Sequence, residues 1–335
     1  MLICRLNYDD YKMKKIAVLT SGGDSPGMNA AIRAVVRSAV FHNIEVIGVF
    51  QGYQGLVDGD FKRLNVRSVA KILGRGGTIL KSARCEAFHT VEGRKKAYEN
   101  LQKNKIDGLV VVGGNGTFTG ALKFYNEFKF PIVGLPGTID NDLDGTDNTI
   151  GFDTATNNVV EAVDKIRDTA DSHNRLFFVE VMGRHNGFIA LRTGIATGAI
   201  AVMTPETKIT VDGLVQVLAE GQKSKKSSSI VIVAEGNPSG GAYMLAQEVK
   251  QRTDQYDIRI TVLGHLQRGG SPSCSDRVLA SRLGVEAVES LLSGAVNVMV
   301  GVVNDRLVHT PFENAIANKI DTLKDEVRIA SILSI

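Results

Sequence analysis

A chain of 335 residues, 43% of them hydrophobic, carries 39 basic against 36 acidic side chains for a net charge of +3. That length gives room for about two domains with a sizeable core, and the near-neutral balance argues against the concentrated basic face of a nucleic-acid or membrane-surface protein. Three scattered cysteines, Cys4, Cys85 and Cys274, form neither a disulfide framework nor a metal-site spacing, which fits a reducing cytoplasm, and no apolar run is long enough to span a bilayer.

Residues 1–12 lack the apolar core of a signal peptide and read as an N-terminal extension, with Met13-Lys14-Lys15 leading directly into the first strand. The run Ile16-Ala17-Val18-Leu19-Thr20 predicts a buried strand that ends in Ser21-Gly22-Gly23-Asp24-Ser25-Pro26-Gly27, followed by a helix with apolar positions Ile32, Val35, Val36 and Ala39. A second strand is expected over 44–50. A third, at 109–112, runs into Gly113-Gly114-Asn115-Gly116-Thr117 and another helix. Such strand, glycine turn and helix units place backbone N–H groups around phosphate oxygens. Neither turn is a P-loop, because no Gly-Lys-Ser/Thr follows. The dinucleotide fingerprint fails as well, since its third glycine would fall at Thr119.

The strand expected at 132–135 ends in Pro136-Gly137-Thr138-Ile139-Asp140-Asn141-Asp142, which delivers two carboxylates, an amide and a hydroxyl together. Alone this is as readily an Asx-type turn with solvated acids. Beside two glycine turns, it points to a phosphate-handling crevice at the carboxyl ends of a parallel sheet. A helical pattern follows from Asn157 to Arg167, through Val160, Val163 and Ile166.

In the second half, strand-like runs at 176–181, 230–234 and 260–263 end in Met182-Gly183-Arg184, in Glu235-Gly236 and in Gly264-His265-Leu266-Gln267-Arg268-Gly269-Gly270. Continuous β-branched runs suit strands buried on both faces, so the fold class is α/β. These strand ends carry arginine, glutamate and histidine rather than bare glycine turns, which assigns one lobe to a polyphosphate and the other to a polar anionic small molecule. Arg84, Arg175, Arg184, Arg259 and Arg268 all fall beside strand ends or glycine turns. A guanidinium binds phosphate bidentately and keeps its charge. Residues 223–229 read as a basic surface connector.

On these residues the chain resembles the bacterial-type 6-phosphofructokinase family from Met13 onward. The motifs Thr20-Ser21-Gly22-Gly23-Asp24, Gly76-Gly77-Thr78, Ser82-Ala83-Arg84, Pro136 to Asp142, Met182-Gly183-Arg184 and Gly264 to Gly270 stand in family order. The resemblance implies two doubly wound three-layer lobes with mainly parallel sheets and an active site in the cleft between them. An ATP lobe would comprise 13–151 plus about 270–320, and a fructose 6-phosphate lobe 152–269 plus about 321–335. The reaction implied is transfer of the γ-phosphoryl of ATP to the 1-hydroxyl of fructose 6-phosphate. Asp140 would be the base. Thr138 and Arg184 would contact the transferring group, Arg84 would bridge the donor phosphates, and Gly23 would let backbone approach them. Cys85, Gly114, Asn115, Gly116 and Thr117 complete the implied ATP site, with Asn115 and Asp142 at the magnesium ion. Met182, Gly183, Glu235, His265 and Arg268 match sugar-phosphate positions. Arg175 and Arg259 match arginines supplied by a neighbouring subunit, which implies a homotetramer. Arg33, Arg37, Arg167 and Lys226 match an effector site.

The chain departs from the family pattern in places. Asn115 stands where an aspartate is usual, and Lys81 is unusual just before the Arg84 segment. Val66 falls at an expected arginine, Ile200 at a magnesium-binding carboxylate of the effector site, and Ser227 and Ser228 in its basic cluster. Pyrophosphate-using relatives carry an acid at the position of Gly116 and a lysine at that of Gly137, so both glycines favour ATP. A pyrophosphate-dependent enzyme and a catalytically weak sugar-phosphate sensor are the alternative readings.

Overall fold

The computed structural model describes residues 13–171, 175–207, 209–223, 229–317 and 323–333. The extension at 1–12 and the effector positions Lys226, Ser227 and Ser228 lie outside the described residues. The first stretch forms β1 (Lys15–Thr20), α1 (Met28–Phe41), β2 (Glu45–Val49), α2 (Tyr53–Asp58), β3 (Phe61–Leu64), α3 (Val91–Lys103), β4 (Gly108–Gly113), α4 (Asn115–Phe128) and β5 (Ile132–Pro136). The second forms α5 (Phe152–Asp171), β6 (Arg175–Val181), α6 (Phe188–Thr197), β7 (Ala201–Met203), α7 (Val211–Lys223), β8 (Ser229–Ala234), α8 (Ala242–Arg252) and β9 (Asp257–Val262). The chain closes with α9 (Cys274–Leu292), β10 (Val298–Val303), β11 (Arg306–Pro311), α10 (Phe312–Ala315) and α11 (Lys324–Leu333).

Two compact units share these elements. One holds the described residues of 13–138, 143–151 and 270–317, the other those of 139–142, 152–269 and 323–333. The chain therefore leaves the first unit between Thr138 and Ile139, inside the segment that carries both carboxylates.

The first unit is built on a seven-stranded sheet in the order β11-β10-β5-β4-β1-β2-β3. Its five inner strands are parallel, and β3 and β11 are antiparallel edges. Alternate side chains of β1 explain the layering. Ile16 and Val18 pack with α1 and α9 on one face, while Ala17 and Leu19 pack with α2, α3, α4 and α10 on the other. A parallel strand covered on both faces must be apolar at every position, and each fully buried valine or leucine contributes about 1.5–3 kcal/mol over exposure. Gly134 interrupts β5 because the stacked rings of Phe118 and Phe312, 5.0 Å apart, fill the space where its side chain would stand.

The second unit has a four-stranded, wholly parallel sheet in the order β7-β8-β6-β9. Phe177, Val179, Ile230 and Ile232 pack against α5, α6 and α11; Leu176, Phe178, Val231 and Val233 pack against α7 and α8. Both units are thus helix–sheet–helix layers, as the apolar runs imply. The helix expected from Asn157 to Arg167 extends over all of α5, because Asp153 in its first turn and no early breaker let it start sooner.

Four strands have no counterpart among the runs read from the sequence. β3 and β11 are edges whose side chains are half exposed, and β7 has three residues, so their signals are weak. β10 is an apolar run of the same kind as β4 and carried the signal. No helix among the described residues is long and apolar enough to cross a membrane.

Candidate active site

In the first unit, three turns lie at the carboxyl ends of the adjacent parallel strands β1, β4 and β5. The β1 turn exposes Gly22 and Gly23, with Gly22 at φ 83°, a left-handed conformation that glycine adopts freely. The β4 turn opens α4, whose N-cap Gly114 provides no side-chain cap, so its first amides are left for a ligand. Thr117, in the first turn of α4, is 3% exposed, yet its Oγ1 has no hydrogen-bond partner among the described residues. A Cβ at Gly22 would lie 3.6 Å from that hydroxyl and one at Gly113 only 2.3 Å away, so small residues keep its surroundings open. Gly116 faces open space, whereas a side chain at Gly137 would strike Val112 and the Gly113 amide.

A loop over 75–82 is fastened to the β1 turn. Asn29, fully buried on α1, donates to the carbonyls of Arg75 and Gly76, both at 3.1 Å, and accepts the Ile79 amide at 2.8 Å. The Thr20 hydroxyl donates to the Lys81 carbonyl at 2.9 Å, and the Ser82 hydroxyl to the Gly22 carbonyl at 2.6 Å. This loop leads to the exposed Arg84 and to Cys85, whose thiol is pushed up chiefly by burial and so is not a reactive thiolate. Asn115 accepts the Thr119 hydroxyl through Oδ1 and donates through Nδ2 to the Ile316 carbonyl, both at 3.4 Å. Thr138 is buried, and its carbonyl accepts the Thr149 hydroxyl at 2.6 Å.

In the second unit, a cluster of charge stands at the carboxyl ends of β6, β8 and β9, the last two flanking the first. Asp140 is 2% exposed, with Arg184 Nε 3.4 Å from its Oδ2. Burial and the neighbouring Asp142 push the Asp140 carboxyl up from the ordinary carboxylate value; Arg184 and Arg268 oppose that shift, and Glu235 adds to it. Asn141 and Arg184 are both held left-handed, at φ 51° and 54°. For residues with a Cβ that conformation costs about 1–2 kcal/mol and persists where surrounding contacts enforce it.

The enforcing contacts are visible for Arg184. Glu235 Oε1 accepts the amides of Arg184 at 2.7 Å and Gly183 at 3.3 Å. Gly236 presses on the Arg184 carbonyl so closely that a Cβ there would stand 1.9 Å from it. Gln267, buried in the one-turn helix Gly264–Arg268 that also carries His265, accepts the Met182 amide at 3.2 Å. Asn158 on α5 holds that helix through the Gly269 carbonyl at 3.0 Å. Met182, Gly183, Arg184, Glu235, His265 and Arg268 therefore belong to one braced set. Gln267 and Asn158 carry no sequence signal of their own, although Gln267 lies inside the Gly264 to Gly270 motif.

The remaining residues lie elsewhere. Arg175 and Arg259 sit on the adjacent strands β6 and β9 and share Asp257 Oδ2 at 3.1 and 2.8 Å. Of the effector positions, Arg33 and Arg37 lie one turn apart on α1, where burial and the Arg37 charge lower the Arg33 pKa. Arg167 donates to the Thr197 carbonyl. Ile200 is 4% exposed within the core beside α7 and α8, and Val66 is exposed.

Residues 15–291 match the protein family described as Phosphofructokinase. The chain is 53% identical over 322 residues to the ATP-dependent 6-phosphofructokinase of Cytophaga hutchinsonii, covering 96% of this chain and 98% of that protein. It is 54% identical over 323 residues to ATP-dependent 6-phosphofructokinase 1 of Thermus thermophilus, covering 96% and 100%. Among solved structures, phosphofructokinase from Saccharomyces cerevisiae superposes with a TM-score of 0.87 at 37% identity, over 96% of this chain and 48% of the longer yeast chain. A pyrophosphate-dependent phosphofructokinase from Marinobacter aquaeolei, at 21% identity, has a TM-score of 0.79 over 95% of this chain and 91% of its own, a likeness of fold alone.

Proposed function

This chain belongs to the phosphofructokinase family, and from that premise we propose how its residues carry the reaction. It is an ATP-dependent phosphotransferase: it moves the γ-phosphoryl group of ATP to the 1-hydroxyl of fructose 6-phosphate, giving fructose 1,6-bisphosphate and ADP. The observation that carries the assignment of roles is Asp140, a buried carboxylate held beside a strained arginine at the end of a parallel sheet.

Asp140 accepts the proton of the 1-hydroxyl as its oxygen bonds to the γ-phosphorus and the bond from that phosphorus to the β-phosphate oxygen breaks. Its raised pKa makes it a better proton acceptor than an ordinary carboxylate, while Arg184 favours the ionised form. Arg184 also stabilises charge on the equatorial oxygens, with Thr138 as a further donor. Glu235, His265, Arg268 and the amides of Met182 and Gly183 receive the sugar phosphate. On the donor side, the amides of the Gly22-Gly23 and Gly114 turns, the unpartnered Thr117 hydroxyl and Arg84 receive the polyphosphate, with Cys85 and the open side of Gly116 toward the nucleoside.

Magnesium fits this donor set. Asp142 offers a carboxylate and Asn115 an amide oxygen, both hard ligands. Magnesium keeps much of its hydration shell, so an ion held mainly by substrate phosphates and water needs few protein ligands. When bound, it neutralises phosphate charge. Asn115 supplies one negative charge fewer than an aspartate would. Asn115→Asp is expected to lower the magnesium concentration for half-maximal rate about tenfold; a titration of rate against magnesium checks this, and an unchanged midpoint removes Asn115 from the metal site.

Self-association to a homotetramer is the accompanying reading. β9 is an edge of its sheet with half its side chains exposed, and Arg175 and Arg259 lie beside that edge, available to act across an interface. At the effector site Ile200 is a core residue and cannot ligate magnesium. MgADP is therefore expected to leave the fructose 6-phosphate saturation curve in place, and a clear leftward shift on adding it overturns that. A cytoplasmic location accords with the scattered spacing of the three cysteines, Cys4, Cys85 and Cys274.

The deciding experiment incubates the protein with fructose 6-phosphate and magnesium plus either ATP or pyrophosphate and measures fructose 1,6-bisphosphate. Product with ATP is expected. Product with pyrophosphate alone makes it the pyrophosphate-dependent enzyme, and none with either, in a protein that still binds fructose 6-phosphate, makes it a sensor.

A further inference from the structure

Lys81 occupies a position that its own backbone disfavours. Its φ is 58°, a conformation that glycine takes without cost and that crowds the Cβ of any other residue. The surrounding contacts leave it no choice. Its carbonyl accepts the Thr20 hydroxyl at 2.9 Å, its amide bonds the Thr78 carbonyl at 3.2 Å, and its neighbour Ser82 is tied to Gly22 at 2.6 Å. Its ammonium makes no hydrogen bond or ion pair among the described residues in return. The side chain is exposed, and no carboxylate lies within ion-pair distance of its ammonium among the described residues. Strain of this kind gathers at ligand clamps, where it fixes a group for something outside the chain.

What lies beside it identifies that ligand. Ser82 holds the same Gly22 whose surroundings include the buried, unpartnered hydroxyl of Thr117. The exposed Arg84 follows three residues later, also without a carboxylate partner among the described residues. We propose that Lys81 is a donor-binding residue: its ammonium acts as a point charge on the polyphosphate of the nucleotide and sets the affinity of the donor. The inference rests on the phosphotransfer reading and adds to it a residue which that reading does not require. A single ammonium has no bidentate geometry to match, so its effect follows the charge of the donor and is larger for ATP than for ADP.

The left-handed backbone makes the test clean, because glycine removes the ammonium and relieves the conformation at once. Lys81→Gly is expected to raise the thermal midpoint by about 1–2 °C, to raise the KM for ATP about fivefold, and to leave the KM for fructose 6-phosphate within twofold. Lys81→Arg, which keeps the charge, restores the KM for ATP. An unchanged KM for ATP in an active Lys81→Gly enzyme overturns the proposal. So does a fall in midpoint together with equal changes in both KM values, which would assign the lysine to packing. If the unaltered protein turns over neither donor, the phosphotransfer reading itself fails. Equilibrium titration of ATP onto the unaltered protein and Lys81→Gly then still decides the matter, equal Kd values ruling Lys81 out and a Kd about fivefold weaker in the variant supporting it.

Discussion

Asp140→Asn is expected to lower kcat by about 10²–10⁴, to leave the KM for fructose 6-phosphate within a few-fold, and to make the protein more stable at neutral pH. The kinetic half follows from the role of the carboxylate. Asparagine keeps the shape and a hydrogen-bonding oxygen, so sugar binding survives, but it cannot take the hydroxyl proton. The stability half follows from burial. At 2% exposure the ionised carboxylate has lost its water, and the opposing pull of Arg184 and Arg268 does not fully offset that loss.

Because the folded-state pKa lies above the unfolded value of about 3.9, the folded state holds the proton more tightly. The stability this confers is complete below the unfolded value and is lost as pH rises through the folded one. Asparagine does not ionise, so the advantage of the variant should grow from pH 4 to pH 7. Denaturation midpoints at both values, set beside steady-state rates, check this. Near-full kcat in the variant would remove Asp140 as the base. A variant less stable at pH 7 than the parent would mean that its pairing with Arg184 outweighs desolvation. The same shift predicts that the acid limb of kcat lies above the ordinary carboxylate range.

Gly236→Ala should be nearly as damaging, although this residue would touch no substrate. The new methyl would stand 1.9 Å from the Arg184 carbonyl oxygen, a backbone contact that no rotamer can relieve. The Met182-Gly183-Arg184 turn or the Glu235 segment must shift. Either way Glu235 loses its grip on the Arg184 amide, the contact that holds Arg184 at φ 54°. A misplacement of about 1 Å typically costs on the order of 10²-fold in rate, and kcat/KM for fructose 6-phosphate should fall by about that factor. ATP binding by the first unit should persist, as measured by equilibrium titration. Kinetics equal to those of the parent would show that the turn relaxes without moving Arg184.

Both residues were open to sequence reading, but unequally. Asp140 lay in a strand-end segment rich in oxygen donors, and the apolar runs beside it were continuous enough to announce buried parallel strands. The alternate faces of β1 bear that out, each packed by helices. Gly236 appeared only as the residue after Glu235. Its importance comes from a carbonyl 52 positions away in the chain, and no local pattern encodes such a contact. Gln267, Asn158 and Asn29 were hidden for the same reason: each is an amide side chain that braces backbone from another element, and amides carry no periodic or spacing signal. The edge strands β3 and β11 were missed because half-exposed edges mix charged and apolar residues. The ion-pairing of Arg175 and Arg259 to one carboxylate was likewise invisible, since Asp257 reads as an ordinary turn residue.

The order of strands in the first unit bears on how the chain is made. β10 covers the edge of β5, and α9 covers the apolar face of α1, yet both belong to the last part of the chain. A ribosome that has finished β5 must add roughly 160 more residues before β10 exists, which takes roughly 10–30 s at common synthesis rates. Throughout that interval the nascent chain displays an unpaired strand edge and an uncovered helix face, the two features most prone to wrong association. The second unit's sheet is complete before that wait ends. The sheet begun first is therefore finished last, and its dependence on chaperones during synthesis should be set by the distance between β5 and β10.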